Sequence, residues 1–402
     1  MDTEKAHIVI RGAGAISPLG HDAVSTAACY RAAKPGFVTI QHQNTPTPVA
    51  KLPEAAEQKL QELLEANPNY KQLDRSVLMA IYAARQATEQ AGWLQEEEET
   101  LQHGLAVNIG SSRGASGLFE HHYDAFLQQA LSSGASPTTT LGNLSSWVAH
   151  AVNAGGAQIS HSITCSTALM AIANAAAWLK AGMAQRFLAG GTEAPLTDFT
   201  IAQMKAIGIY SKLHDSLYPC QPYTLNKQNT FVLGEGAAVF ALEQVNASRL
   251  KKGDYIVEAI GFGFEKIQSK TGISSEGLNF QQSMQHALQQ LPKAATIDLI
   301  ITHTPGTRAG DSAELAAIEK VFGAKVPFLT NNKWLIGHTL GASGALSLAY
   351  ALHIFQQQRV SSIPYSIAVS QQEPASVKSV KRILINAAGF GGNAASLVLT
   401  LI

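Results

Sequence analysis

From Ala125 to Leu179 the chain runs for 55 residues without one Asp, Glu, Lys or Arg. A second gap covers the 25 residues from Trp334 to Gln358. Segments that long without charge belong inside a protein or against a partner. Both contain Gly, Ser, Thr, Asn and His, so they read as buried soluble chain rather than lipid-facing chain, and no stretch has the ~20 unbroken apolar residues of a membrane span. Only 14% of the 402 residues are charged, against about 25% in an ordinary soluble domain. A large core, a large dry interface, or both, must account for the difference. The 29 basic and 29 acidic residues cancel, which excludes a strongly basic nucleic-acid binder. With 46% hydrophobic residues, the chain is not disordered either.

Short β-rich runs alternate with helical ones. IVIRG near Ile8, LAVNIG, RFLAGG, GAAVFAL, DYIVEAIGFG, DLIIT, RILINAAG and SLVLTLI read as strands. Leu78 to Ala91, the region around Phe199, and Ser312 to Phe322 read as helices, and Ala168 to Leu179 as a helix packed on all sides. Such alternation implies a layered α/β fold. A weak internal echo accompanies it: a strand entering a punctuated loop near Ile8 and again near Asp298, and a Gly-Gly turn at Gly190-Gly191 and again at Gly391-Gly392. We expect two halves, 1–250 and 251–402, meeting near residues 245–255. QEEEET (95–100) reads as a solvated helix end or loop. The start MDTEKAHIVIRGAG has no apolar signal segment, and the three cysteines are widely spaced with no CxxC. A cytoplasmic protein without disulfides is the expectation.

Three side chains stand out for chemistry. Cys165, in SITCSTALMAI, heads the Ala-rich helix. There the positive end of the helix dipole would lower its thiol below the free value of about 8.5. The plain alternative is a buried structural cysteine. His303 and His338 each close an apolar run before a Gly-rich turn, a good position for a base or a hydrogen-bond donor, though a lone histidine is more often a satisfied core residue. Neither lies at metal-ligand spacing from another His or Cys, so no metal is expected. Gly389-Phe390-Gly391-Gly392 can bring backbone N–H groups close to a reacting carbonyl, or it is a tight turn.

Taken in order, these pieces resemble the β-ketoacyl synthase family of condensing enzymes, and the resemblance covers nearly the whole chain. It is carried by IVIRGAGAISPLG from Ile8, Asp74-Arg75-Ser76, TCSTA around Cys165, AGGTEA from Ala189, CQPY from Cys220 and FVLGEGAA from Phe231. It continues through His303 with Gly306-Thr307 and Gly310-Asp311, Lys333 five residues before His338, GHTLGASGA from Gly337 and GFGGNA from Gly389. The resemblance implies a thiolase-like α/β fold, two pseudo-symmetric halves in five αβαβα layers. It implies Cys165 as the nucleophile that takes an acyl group from a thioester, and His303 and His338 as the pair that decarboxylates a malonyl thioester. Backbone N–H groups of Cys165 and Phe390 would form the oxyanion hole, with Phe390 also a gate. Lys333 would keep His338 neutral, Glu314 and Glu235 would brace loops around the site, and Thr307, Arg113 and Gly391 would contact substrate.

No bound cofactor is implied, only the phosphopantetheine arm of an acyl carrier protein as substrate carrier. The partners implied are that carrier and a second subunit, either a homodimer mate or a chain-length-factor-like homologue. Lys205, Lys212 and Arg308 are candidates for docking the acidic carrier. The two histidines favour the decarboxylating, elongating branch. Departures include His303-Thr304-Pro305 for the family's His-Gly-Thr and Pro222-Tyr223-Thr224 for its Pro-Phe-Asp. Arg113, in GSSRGA, stands where many relatives have a small or apolar residue near the acyl pocket. Either it lines that pocket, disfavouring a long saturated chain and pointing to specialised polyketide or aryl-polyene-like assembly, or it faces solvent or a subunit contact.

Overall fold

A computed structural model describes residues 6–94, 100–226, 228–266, 272–369 and 379–402; most of the QEEEET segment lies outside the described residues. The first half runs β1 (Ala6–Ile16), α1 (Ala23–Ala32), the hairpin β2 (Phe37–His42) and β3 (Thr45–Ala50), α2 (Glu54–Ala66) and α3 (Arg75–Gln90). There follow β4 (Leu105–Gly110), α4 (Ser116–Leu127), α5 (Ala135–Thr139), α6 (Asn143–Ala151) and β5 (Gln158–Ile159). This half closes with α7 (Thr167–Lys180), β6 (Arg186–Glu193), α8 (Asp198–Ala206) and β7 (Gly236–Asn246). The second half runs β8 (Tyr255–Phe264), α9 (Leu278–Leu288), β9 (Leu299–Ile301), α10 (Arg308–Phe322) and β10 (Phe328–Thr330). It ends with α11 (Lys333–Ile336), α12 (Ser343–Gln357), β11 (Arg382–Gly389) and β12 (Asn393–Leu401).

The sheet order β10-β9-β11-β12-β8-β1-β7-β6-β4-β5 is a pseudo-twofold arrangement. β4 and β6 are parallel and β6, β7 and β1 antiparallel; β9 and β11 are parallel and β11, β12 and β8 antiparallel. Ile8–Ile10 pairs with Tyr255–Val257 and joins the two half-sheets into one ladder. The true repeat therefore matches β1 with β8 and β4 with β9, so the strand near Asp298 echoes β4 and not Ile8. Gly190 and Gly191 also differ from expectation, because they lie inside β6 rather than in a turn. A Cβ on Gly190 would meet the Ala238 carbonyl oxygen at 2.0 Å, and one on Gly191 would meet Ala168 Cβ at 2.8 Å. These glycines let β7 and α7 close onto the strand.

Strand alternation sorts side chains into three cores. Phe187 and Ala189 of β6 face the middle with Ile383 and Ile385 of β11, around α7 and α12. Leu188 faces outward against α3 with Val77, Met79 and Ile81. Leu384 faces the opposite outer side with Phe280 and Met284 of α9. The layers are thus helix, sheet, helix, sheet, helix. It is α12 that is buried on nearly every side, while α7 leaves Ala177 exposed. Beyond their short pairing, the free edges of β1 and β8 are capped by side chains. Ala13 N–H donates to Gln90 and Ala15 N–H to Gln86 of α3, at 2.6 and 3.1 Å. Ile260, Phe262 and Phe264 N–H donate to Gln290, His286 and Gln282, at 3.4, 3.2 and 3.0 Å.

Candidate active site

Cys165 lies on the loop leading into α7, two residues before the first helical residue Thr167. Thr164 precedes it in the left-handed region, with φ 54°, a conformation that costs a β-branched residue energy and turns the next side chain outward. Internal bonds hold the loop: Ile163 N–H donates to Thr167 Oγ1 at 2.9 Å, and that hydroxyl donates to the Thr164 carbonyl at 2.6 Å. Gly389 at the end of β11 abuts the same loop; a Cβ there would fall 1.6 Å from Thr164 Oγ1 and 2.9 Å from Cys165 N.

His303 follows β9 on a loop fastened by α10. Both oxygens of the buried Glu314 carboxylate reach back, accepting from His303 N–H at 2.9 Å and Thr304 N–H at 2.7 Å, and Asn386 Nδ2 donates to it at 3.0 Å. Asp311 accepts from Gly306, Thr307 and Tyr223 N–H in the same way. His338 follows α11, and its Nδ1 accepts from Leu340 N–H at 2.9 Å. Leu340 has φ 41°, and that strained turn points its N–H back at the ring. With Nδ1 occupied as acceptor, the proton of a neutral His338 is on Nε2.

Three residues far apart in sequence thereby converge. A thiol sulfur and one nitrogen from each of His303 and His338 all lie within 4.8 Å of one another. The imidazoles meet edge to face, centroids 5.1 Å apart. Burial, with Lys333 beside them, pushes both histidines well below the usual imidazole range, so both are neutral at pH 7. The same grouping suits a soft metal ion, a possibility hidden from spacing along the chain. Lys333 is 1% exposed; burial brings its ammonium down to about 8, against the pull of Glu314, Cys220, Cys165 and Asp311. Neither Lys333 Nζ nor His303 Nδ1 has a hydrogen-bond partner among the described residues.

The thiol departs from expectation. Burial, reinforced by the Glu193 carboxylate, pushes Cys165 up to about 12, while Lys333 and Arg113 pull it down. Desolvation outweighs the helix terminus because Cys165 stands ahead of the helix, half-buried among apolar neighbours. Glu193 itself binds Ser111 Oγ, Ser112 N–H and Gly341 N–H, tying the loop after β4 to the turn after His338.

Cys165 also stands at the junction of two cavities. One, of about 260 Å³, contains His303, His338, Phe231, Phe280, Asn229 and Thr307. The other, of about 500 Å³, contains Arg113, Phe119, Thr139 and Phe199. Met204, Leu340 and Phe390 border both, and Phe390 is 39% exposed. Arg113 therefore lines a cavity beside the thiol. Thr307 lines the histidine cavity while its hydroxyl caps α10. Gly391 is a turn residue with φ 100°, set between Phe390 and Gly392, which line the histidine cavity together with Gly389. Glu235 bonds Arg75 and Leu52 N–H, one residue after Gly234, whose N–H donates to the His338 carbonyl. Sequence reasoning gave no role to Phe280, Phe231 or Glu193. The rings of Phe280 and Phe231 lie 6.3 and 5.3 Å from His303 and His338. For Glu193 a signal existed, a lone acid ending an otherwise apolar strand.

Two family models match the chain, the β-ketoacyl synthase N-terminal domain over residues 5–247 and the C-terminal domain over 256–365. The chain belongs to the β-ketoacyl synthase family. It is similar to a 3-oxoacyl-[acyl-carrier-protein] synthase 2 of Coxiella burnetii, 29% identical over 99% of both chains. It is 28% identical to a putative polyketide β-ketoacyl synthase 1 of Streptomyces cyaneus over 81% of this chain and 82% of that one. Among solved structures, the ishigamide ketosynthase/chain length factor superposes with TM-score 0.82 at 21% identity, covering 99% of the synthase and 100% of that chain. The synthase therefore has the thiolase-like fold and is a condensing acyltransferase of fatty acid or polyketide synthesis. Among the described residues no helix is long and apolar enough to cross a membrane.

Proposed function

We propose that the synthase condenses a Cys165-bound acyl group with malonyl carried on the phosphopantetheine arm of an acyl carrier protein. The observation that carries this reading is the thiol at the junction of two cavities, with both histidines on one side only. In the loading step Sγ attacks the acyl thioester carbonyl, the carrier sulfur leaves, and the proton lost from Cys165 ends on the carrier thiol. The acyl chain then occupies the Arg113 cavity. The malonyl thioester enters past Asn229 and Thr307 and places its carbonyl oxygen against His303 and His338. The C–CO2 bond breaks, carbon dioxide leaves, and hydrogen bonds from the neutral imidazoles stabilise the enolate. Its carbon attacks the acyl carbonyl, the C–S bond to Cys165 breaks, and the thiolate takes a proton from solvent. Backbone N–H groups of Cys165 and Phe390 are the proposed oxyanion donors, a pairing supported by the close approach of Gly389 to Cys165 N. Lys333 keeps the imidazoles uncharged, and Glu314 fixes the His303 loop.

Intact mass after incubation with an acyl thioester tests the reading. The wild type gains one acyl group, Cys165→Ala gains none, and acylation of Cys165→Ala at the wild-type level would overturn the assignment. His338→Ala should lose malonyl decarboxylation far more than loading.

A second reading, a subunit of a ketosynthase/chain-length-factor pair, draws support from one surface. Phe119, Tyr123, Phe126, Leu127, Leu131 and Leu141 are all exposed, and most of them fall in the longer charge-free segment. We propose that a second subunit, identical or homologous, covers that face, and that the halves 1–250 and 251–402 act as one body. Arg308 is exposed at the head of α10, and its N–H bonds Asn229 at the cavity, so it is proposed to contact the carrier. Lys205 is instead tied to His42 and Thr47.

A further inference from the structure

Arg113 is an unusual wall for a cavity that must hold an acyl chain. Its loop is fixed from below: Ser111 Oγ, Ser112 N–H and Arg113 N–H all bond the Glu193 carboxylate, at 2.7, 2.9 and 3.1 Å. The side chain therefore enters the cavity from a rigid base. Arg113 Nη1 donates to Gln203 Oε1 of α8 at 2.7 Å, and this neutral amide holds the guanidinium in place without cancelling its charge. Among the described residues Arg113 forms no ion pair. The acid that lines the same cavity, Glu120, is held by Thr197 Oγ1 and Phe199 N–H rather than by the guanidinium. A half-buried guanidinium without an ion-pair partner among the described residues thus stands beside the thiol. Phe119, Phe199 and Phe390 surround the same space.

A saturated chain laid there strips water from the guanidinium and returns nothing electrostatic. A chain with an extended π system returns cation–π attraction to Arg113 and stacking against the phenyl rings. We infer that Arg113, held by Gln203, selects acyl groups carrying conjugated unsaturation, polyenoyl or aryl-enoyl, over saturated chains of equal length. This inference rests on the condensing reading above, because it requires Cys165 to be the loaded residue.

The test compares the rate of Cys165 acylation by hexadienoyl, hexanoyl and β-ketohexanoyl thioesters of one carrier, read by intact mass. The wild type should load hexadienoyl about tenfold faster than hexanoyl, with β-ketohexanoyl no faster than hexanoyl. Arg113→Met should bring the hexadienoyl to hexanoyl ratio to within about twofold of unity. Gln203→Met, which keeps the cation and frees it to swing away, should give an intermediate ratio and covers the case in which the Arg113 variant fails to fold. Equal loading of hexanoyl and hexadienoyl by the wild type overturns the inference, as does a ratio unmoved in both variants. Preference for β-ketohexanoyl also overturns it, because Arg113 would then read a hydrogen-bond acceptor. Failure of every thioester to acylate Cys165 would instead refute the condensing reading itself.

Discussion

At the scale of single residues, Cys165, the proposed nucleophile, rests as a thiol. Its value near 12 lies far above neutrality, so the thiolate fraction rises about tenfold with each pH unit. Alkylation by iodoacetamide should therefore keep accelerating from about pH 6 to about pH 9, in rate measurements followed by mass. A plateau below about pH 8 would mean that the proton already rests on an imidazole as an ion pair. A steadily rising profile would mean that the proton leaves Cys165 during attack, not before it. Gly389→Ala is the sharpest steric probe, because the new Cβ has no room against Thr164 and Cys165 N. Displacing the Cys165 sulfur by about 1 Å is expected to lower kcat roughly a hundredfold, with KM for the carrier substrate changing little in steady-state assays.

At the scale of elements, α10 holds the β9 loop by its acids. Glu314→Gln replaces one acceptor oxygen with a donor, which strands the N–H of His303 or Thr304. A loss of about 1–3 kcal/mol in unfolding free energy is expected by denaturant titration, together with slower decarboxylation. Element positions were largely legible in the sequence because each depends on local pattern. Strand runs, the helix over 312–322 and the residues Cys165, His303 and His338 were readable as motifs. What was not legible depends on neighbours distant in the chain. The glycines at 190 and 191 read as a turn because nothing local shows β7 and α7 pressing on them. The thiol read as acidified because nothing local shows its burial or Glu193. Phe280 left no signal at all, since only packing of α9 brings it beside His303. Helix α10 starts at Arg308 rather than Ser312 because Thr307 supplies its cap.

At the scale of the molecule, the middle core draws side chains from β6, α7, α12 and β11 together, so neither half owns it. The two halves should unfold as one: single-tryptophan variants retaining Trp178 or Trp334 should give coincident urea midpoints. Separate midpoints would mean that each half is stable alone. The exposed apolar side chains of α4 and its neighbourhood predict a multimer by light scattering, or poor solubility until a mate is co-expressed; Phe126→Glu should shift the balance toward monomer. Arg308→Glu should raise KM for carrier-bound malonyl more than for malonyl-pantetheine.

The glutamine contacts along β1 and β8 carry one more consequence. Four residues of helix advance about 6 Å and two residues of strand about 6.6 Å, so amide side chains every fourth position on a helix can meet alternate N–H groups of a strand. Gln86 and Gln90 do this in one half, and Gln282, His286 and Gln290 in the other. Each helix thereby stands in for a missing strand. An extended foreign segment finds those five donors already taken, which makes the centre of the sheet a poor template for strand addition.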